Sequence, residues 1–261
     1  MGTMEVTEVV RLERHGAVAA ITVNRPEARN AVNNEVRTEL LRICAELADD
    51  RDLRVVTLRG AGGKTFISGA DLKEFEQLKS AQDFIEMSRR DEELYSAIER
   101  LPAVTVAVIE GHALGGGLML AALCDLRVCT ADSKFGIPSA RSLSNCLSPG
   151  MYARLAALIG HGRTKELLIR ALVLDAESAK AWGLVTDVVE REALEEHLAA
   201  LTVELAGFAP VTIWATKEAM RRLVADYPRD EDIMERVLNS EDFREGIEAF
   251  LEKRPPVWRN R

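Results

Sequence analysis

The segment Gly111-His112-Ala113-Leu114-Gly115-Gly116-Gly117 constrains the fold more than any other part of the chain. It follows the β-branched run Thr105-Val106-Ala107-Val108-Ile109 and leads into Leu118-Met119-Leu120-Ala121-Ala122-Leu123-Cys124, which has no polar residue. A strand, a glycine turn and a helix that is apolar all round belong together only when both regular elements are buried. The N-terminus of such a helix has free N–H groups and a partial positive charge. Three glycines let a ligand come close to that backbone. The alternative is a tight turn that simply needs small residues.

Other elements surround this unit. Strand-like runs at residues 9–14 and 17–23 are separated by His15-Gly16, a hairpin signal, and Arg25-Pro26 ends the second run. Val36, Leu40, Leu41, Ile43, Cys44 and Leu47 follow helical spacing, with Asn33 or Asn34 at the N-cap. A buried-looking strand at 55–59 stops at Gly60-Ala61-Gly62-Gly63, and a helix at 81–100 stops before Leu101-Pro102. A further strand is expected at 126–129. From Tyr152 helices dominate, broken near Gly160, Ala171, Gly183 and Pro210, with one strand at 186–189. The pattern predicts an α/β fold with a more helical C-terminal part. We expect a core over residues 1–200 and a helical region over 201–261.

Composition narrows the function. The 261 residues carry 34 basic against 42 acidic side chains, a net charge of −8, so no basic face for nucleic acid is expected. The longest uninterrupted apolar run, residues 113–124, has 12 residues, short of the ~20 a bilayer span needs, so no membrane partner is expected. The first residues show no signal pattern and miss the myristoylation pattern at Val6. Four scattered cysteines without C-x-x-C fit a reducing, cytoplasmic compartment. Gly60-Ala61-Gly62-Gly63-Lys64-Thr65 fails the P-loop spacing at Leu58, and the central glycines fail the dinucleotide spacing. The four histidines lack metal-ligand spacing. Neither metal nor cofactor is expected.

A second segment, Phe66-Ile67-Ser68-Gly69-Ala70-Asp71-Leu72, also follows a strand and a glycine turn. Its small-residue turn is a source for a second N–H beside that of the helix start. Two converging backbone N–H groups suit an enolate or a tetrahedral oxyanion. Together with Asn24-Arg25-Pro26-Glu27-Ala28-Arg29-Asn30-Ala31, the stretch 111–125, Phe135-Gly136-Ile137-Pro138, and the stretches 176–185 and 244–254, this segment resembles the crotonase (enoyl-CoA hydratase/isomerase) family. The resemblance runs over nearly the full length. It implies a spiral of β-β-α turns, a helical C-terminal region that builds a homotrimer or hexamer, and an acyl-CoA ligand. It implies that the thioester oxygen sits between the N–H groups of Ala70 and Gly116. Ala31, Ser68, Asp71, Leu72 and Lys73 would line the adenine and pantetheine path. Phe250 and Lys253 would reach the nucleotide part of CoA. The tail is expected to be helical from about Glu231 to Lys253, with Phe243, Ile247, Phe250 and Leu251 on one apolar face at or near a subunit interface.

The departures from the family pattern bear on the reaction. Family hydratases carry two water-activating glutamates, and the matching positions hold Met119 and Ser139. Neither side chain activates water or moves a proton to carbon as a carboxylate does. Met119 is expected as an apolar wall of the acyl site. Ser139, Arg141, Ser142, Ser144, Asn145 and Cys146 follow the Pro138 turn, where the acyl group is expected. Ser139 and Asn145 are the polar candidates for catalysis there, although ordinary loop hydrogen bonding explains them as well. Cys146 lacks a visible activating base. Asp71 and Asp125 read as local caps or structural acceptors. The first reading is an acyl-CoA enzyme, of lyase or isomerase type, that stabilises a thioester enolate. The competing readings are a non-catalytic acyl-CoA-binding protein and a scaffold subunit.

Overall fold

The computed structural model describes residues 5–6, 9–225 and 238–257. Among these residues two sheets form the frame. A seven-stranded sheet contains β1 (Glu5–Val6), β2 (Val10–His15), β3 (Val18–Val23), β4 (Val55–Gly60), β6 (Val104–Ile109), β8 (Leu126–Thr130) and β11 (Asp187–Val189), in that spatial order. A four-stranded sheet has the order β10 (Val173–Asp175), β9 (Lys134–Gly136), β7 (His112–Leu114) and β5 (Thr65–Ile67).

The chain alternates between them. It leaves the large sheet at β4, β6 and β8, and crosses to the small one at β5, β7 and β9. Each crossing is followed by helix: α2 (Leu72–Phe75) and α3 (Ala81–Glu99), then α4 (Gly116–Leu123), then α5 (Ser139–Ser142) and α6 (Pro149–Ile169). Both strand series pair in parallel, β4–β6–β8 and β5–β7–β9. This is a β-β-α spiral, the α/β architecture that the resemblance implies. The helix α1 (Asn34–Ala48) precedes it, capped by Asn33, whose Oδ1 accepts from the Val36 N–H at 2.9 Å.

Strand β6 shows why the spiral is stable. All six of its residues are buried. Val104, Val106 and Val108 pack against Leu194, Leu198 and Leu205 of α8 (Leu194–Ala206) on one face. Ala107 and Ile109 face the main core with α1, α3 and α4. The period-two alternation thus feeds two separate cores. Fully burying one such valine contributes about 1.5–3 kcal/mol.

The expected strands and helices fall within about a residue or two of the observed bounds. The four expected breaks are also present: Gly160, Ala171 and Gly183 have positive φ, and Pro210 opens α9 (Pro210–Ala225). The small sheet was not expected from sequence as a sheet, because three-residue strands show no alternation. Residue 200, the expected domain boundary, lies inside α8.

In the tail the structure divides the expected apolar face. Residues 231–237 lie outside the described residues. In α10 (Glu241–Leu251), Phe243, Gly246 and Ala249 are buried and Ile247 packs inward, whereas Phe250 and Leu251 are exposed. Small residues at 246 and 249 bring the helix close, so the contact runs through them and leaves Phe250 and Leu251 outside. Among the described residues, no single helix is long and apolar enough to cross a membrane.

Candidate active site

Pairing of β5 with β7 sets the residues after each strand side by side. A Cβ at position 117 would lie 1.7 Å from the Ile67 carbonyl oxygen, so only glycine permits α4 to start this close to β5. Gly69 has φ +104°, and a Cβ there would lie 2.9 Å from the Gly116 nitrogen. A Cβ at Gly116 would in turn lie 3.5 Å from the Ala70 nitrogen. Ala70 and Gly116 are therefore immediate neighbours, and both are partly exposed.

Neighbouring donors are engaged. The Gly115 N–H donates to the Gly136 carbonyl at 2.9 Å, and the Asp71 N–H to the Val32 carbonyl at 2.9 Å. Among the described residues, no protein acceptor takes the N–H of Ala70 or of Gly116. Gly115, the N-cap of α4, offers no side-chain cap. The geometry thus presents two adjacent, uncommitted donors, one of them at a helix start.

A single arginine ties down the strand of chain beneath them. Arg25 Nη1 donates to the Ala31 carbonyl at 2.6 Å and Nη2 to Asp71 Oδ2 at 3.0 Å. The Val32 N–H donates to the Gly69 carbonyl at 2.8 Å, and the Ser68 N–H to the Arg29 carbonyl at 3.2 Å. Glu74 accepts from the Asn34 N–H at 2.5 Å. Residues 25–34 are thereby zipped along residues 68–74, which fixes the Ala70 peptide. Asp71 is committed twice, to Arg25 and as N-cap of α2, where Oδ1 accepts from the Lys73 N–H at 3.2 Å.

One flank of Ala70 is apolar. Phe75, Phe84, Ile85, Met87, Leu238 and Phe243 form a cluster, with Ala70, Leu72, Cys146 and Ile247 packed against it. Phe84 meets Phe75 edge-on at 5.7 Å between centroids and Phe243 at 5.9 Å. Sequence reasoning singled out Phe243 only as part of the tail's apolar face, and not Phe75, Phe84 or Arg25. The arginine was visible only as part of the Asn24-Arg25-Pro26 match.

The remaining expected site residues divide. Ala31, Ser68, Asp71 and Leu72 lie along the zipped segments, and Lys73 is exposed beside them. Met119 is fully enclosed in the main core. Ser139 opens α5, and its carbonyl accepts from the Leu143 and Ser144 N–H groups at 3.0 and 2.9 Å. Asn145 Oδ1 is buried without a partner. Phe250 and Lys253 stand exposed, and the aromatic cluster takes Phe243 and Ile247 from α10 but not Phe250. Burial pushes the Cys146 thiol up to about 11, which leaves it protonated at neutral pH and a poor nucleophile. Asp125 is a structural acceptor, taking the Thr105 N–H at 2.7 Å and Lys217 Nζ. Among the described residues no group of three or more His, Cys, Asp or Glu is placed to hold a metal ion.

The β-β-α spiral thus sets one free N–H at a helix start beside a second in the turn after the neighbouring strand. The enoyl-CoA hydratase/isomerase family profile matches residues 13–261, and the chain belongs to this crotonase family. It is 34% identical to the (E)-benzylidenesuccinyl-CoA hydratase of Thauera aromatica, over 96% of this chain and 98% of that one. It is 31% identical to the short-chain-enoyl-CoA hydratase of Clostridium acetobutylicum, over 96% and 97%. Among solved structures it is similar to methylmalonyl-CoA decarboxylase complexed with 2S-carboxypropyl-CoA, with a TM-score of 0.90, 26% identity, and 98% and 100% of the two chains covered.

Proposed function

We propose that this chain binds an acyl-CoA thioester with its carbonyl oxygen between the N–H groups of Ala70 and Gly116, and stabilises the enolate formed there without activating water. The observation that carries this reading is the adjacent pair of uncommitted donors. Removing one such donor from an enzyme typically costs about 10²–10³ in rate. Ala31, Ser68, Asp71, Leu72 and Lys73 line the path of the CoA moiety, and Phe250 and Lys253 meet its nucleotide end. The thioester itself is the reactant, and this chemistry calls for no further cofactor.

An enolate arises by loss of a proton or of carbon dioxide. Proton loss needs a positioned base. The two positions that hold glutamate in family hydratases carry Met119 and Ser139. Asp71 is committed to Arg25, and the Cys146 thiol is protonated. Decarboxylation needs no base. In a 2-carboxyacyl thioester the bond from C2 to the carboxylate breaks and its electron pair moves into the thioester. The oxygen gains the charge that the two N–H groups meet, carbon dioxide leaves, and water supplies a proton to C2. The similarity to a decarboxylase structure supports this choice.

We also assign self-association to the C-terminal helices. Phe208, Val211, Trp214, Met220 and Leu223 are exposed on and before α9, as are Phe250 and Leu251 on α10. Such surface suits a homotrimer or hexamer. Four free cysteines support the expectation of a reducing, cytoplasmic compartment.

Titration calorimetry with acetoacetyl-CoA and with free CoA tests the reading. The thioester is expected to bind more tightly than CoA. No binding at millimolar concentration would remove the reading altogether.

A further inference from the structure

The loop between α5 and α6 holds two polar atoms without partners: Asn145 Oδ1 and Ser148 Oγ are buried and unbonded. Two neighbouring polar groups are paired. Ser142 Oγ donates to the Pro138 carbonyl at 2.9 Å, and the Leu147 N–H donates to Tyr152 Oη at 3.3 Å. Ser148 is the N-cap of α6, a position where serine ordinarily accepts from the helix backbone, yet its side chain makes no such bond. Native proteins leave few buried polar groups unsatisfied, because each forfeits its hydration. Two on one short loop call for a ligand.

The loop's surroundings say what kind. Cys146, between the two residues, packs against the same aromatic cluster as Ala70. The cluster therefore joins this loop to the donor pair. At Gly246, α10 presses on the loop so closely that a Cβ would lie 2.4 Å from the Leu143 carbonyl oxygen. Arg154, which follows the loop, is already paired with Glu92 and Glu99, so the loop's own neutral side chains are left to meet a ligand. An amide offers either N–H₂ or oxygen after a flip, and a hydroxyl donates or accepts.

We propose that Asn145 and Ser148 are the specificity-determining residues that hold the carboxylate of a 2-carboxyacyl-CoA. The proposal rests on the acyl-CoA reading above. With the Asn145 amide flipped so that its N–H₂ replaces Oδ1, both groups donate and both are neutral, so they orient the carboxylate without the strong ion pair that an arginine would form with it. Beside an apolar cluster, a weakly solvated carboxylate is poised to leave as carbon dioxide.

Two thioethers that lack the thioester carbonyl test this apart from the donor pair at Ala70 and Gly116. Carboxypropyl-CoA carries the carboxylate, and propyl-CoA does not. The native protein is expected to prefer carboxypropyl-CoA by about tenfold or more. Asn145→Ala and Ser148→Ala are each expected to lose most of that preference while propyl-CoA affinity stays unchanged. Asn145→Asp should reverse it through charge repulsion. Because both atoms are unbonded in the free protein, Ser148→Ala should leave the melting temperature unchanged or higher, which separates a binding effect from misfolding. Equal affinity of the native protein for both thioethers, or a preference retained in both alanine variants, overturns the assignment. Failure of CoA and both thioethers to bind instead removes the acyl-CoA reading, and this assignment with it.

Discussion

The two halves of the site are built differently. Around Ala70 and Gly116 the donors are backbone groups, held by parallel strands, a glycine contact too close for any Cβ, and the Arg25 tie. Across the aromatic cluster, in residues 139–148, the polar groups are side chains on α5 and the loop that follows it, and two of those on the loop lack partners. A backbone-built half tolerates side-chain change and keeps its chemistry. A side-chain-built half can be rewritten by single substitutions. The account therefore assigns oxyanion binding to the first half and the choice of reaction to the second.

The largest expected effect comes from closing the first half. Gly116→Val places a Cβ 3.3 Å from the Gly69 Cα and 3.5 Å from the Ala70 nitrogen, with two methyls beyond it, so thioester binding in calorimetry should vanish, with some loss of stability. A folded Gly116→Val protein that binds acetoacetyl-CoA normally would misplace the oxyanion site. Next is Arg25→Ala, which leaves Asp71 without its partner and frees the Ala31 carbonyl. Breaking such a partly buried pair should cost about 1–3 kcal/mol in denaturant unfolding. It should also weaken thioester binding more than binding of free CoA, because the Ala70 peptide loosens. An equal loss for both ligands would make Arg25 merely structural.

Smaller effects separate the second half. With its thiol near 11, Cys146 is about 0.1% thiolate at pH 8, so alkylation of the folded protein should be slow and should accelerate as pH rises toward 11. Rapid modification at pH 7 would reveal an activating base. Gly62→Ala, at φ +89° in the β4–β5 turn, should lower the melting temperature by a few degrees and leave CoA affinity unchanged. Light scattering at micromolar protein should give a trimer or hexamer mass, and a monomer would contradict the assignment of the C-terminal helices.

Sequence patterning carried most of the large sheet and most of the helices, because runs such as Val104-Thr105-Val106-Ala107-Val108-Ile109 are continuous and buried on both faces. It missed the small sheet, whose strands take their places from neighbouring backbone rather than from their own pattern. Of the site, the glycines marked the backbone donors, since close approach leaves a sequence trace. Arg25 and Phe243 meet residues 46 and 159 positions away, at Asp71 and Phe84, and no local spacing announces such contacts. Ser148 carries no sequence signal of its own, because an unpartnered hydroxyl at a helix cap is a matter of three-dimensional surroundings.

The central claim is that the chain kept the enolate site and does not activate water. Crotonyl-CoA and carboxyl-labelled malonyl-CoA, offered separately to one preparation, test it directly. The account predicts release of labelled carbon dioxide with formation of acetyl-CoA, and hydration of crotonyl-CoA about 10²–10⁴ slower than a two-glutamate enzyme achieves. Crotonyl-CoA hydration at about 10 s⁻¹ or faster, with malonyl-CoA left intact, would contradict it.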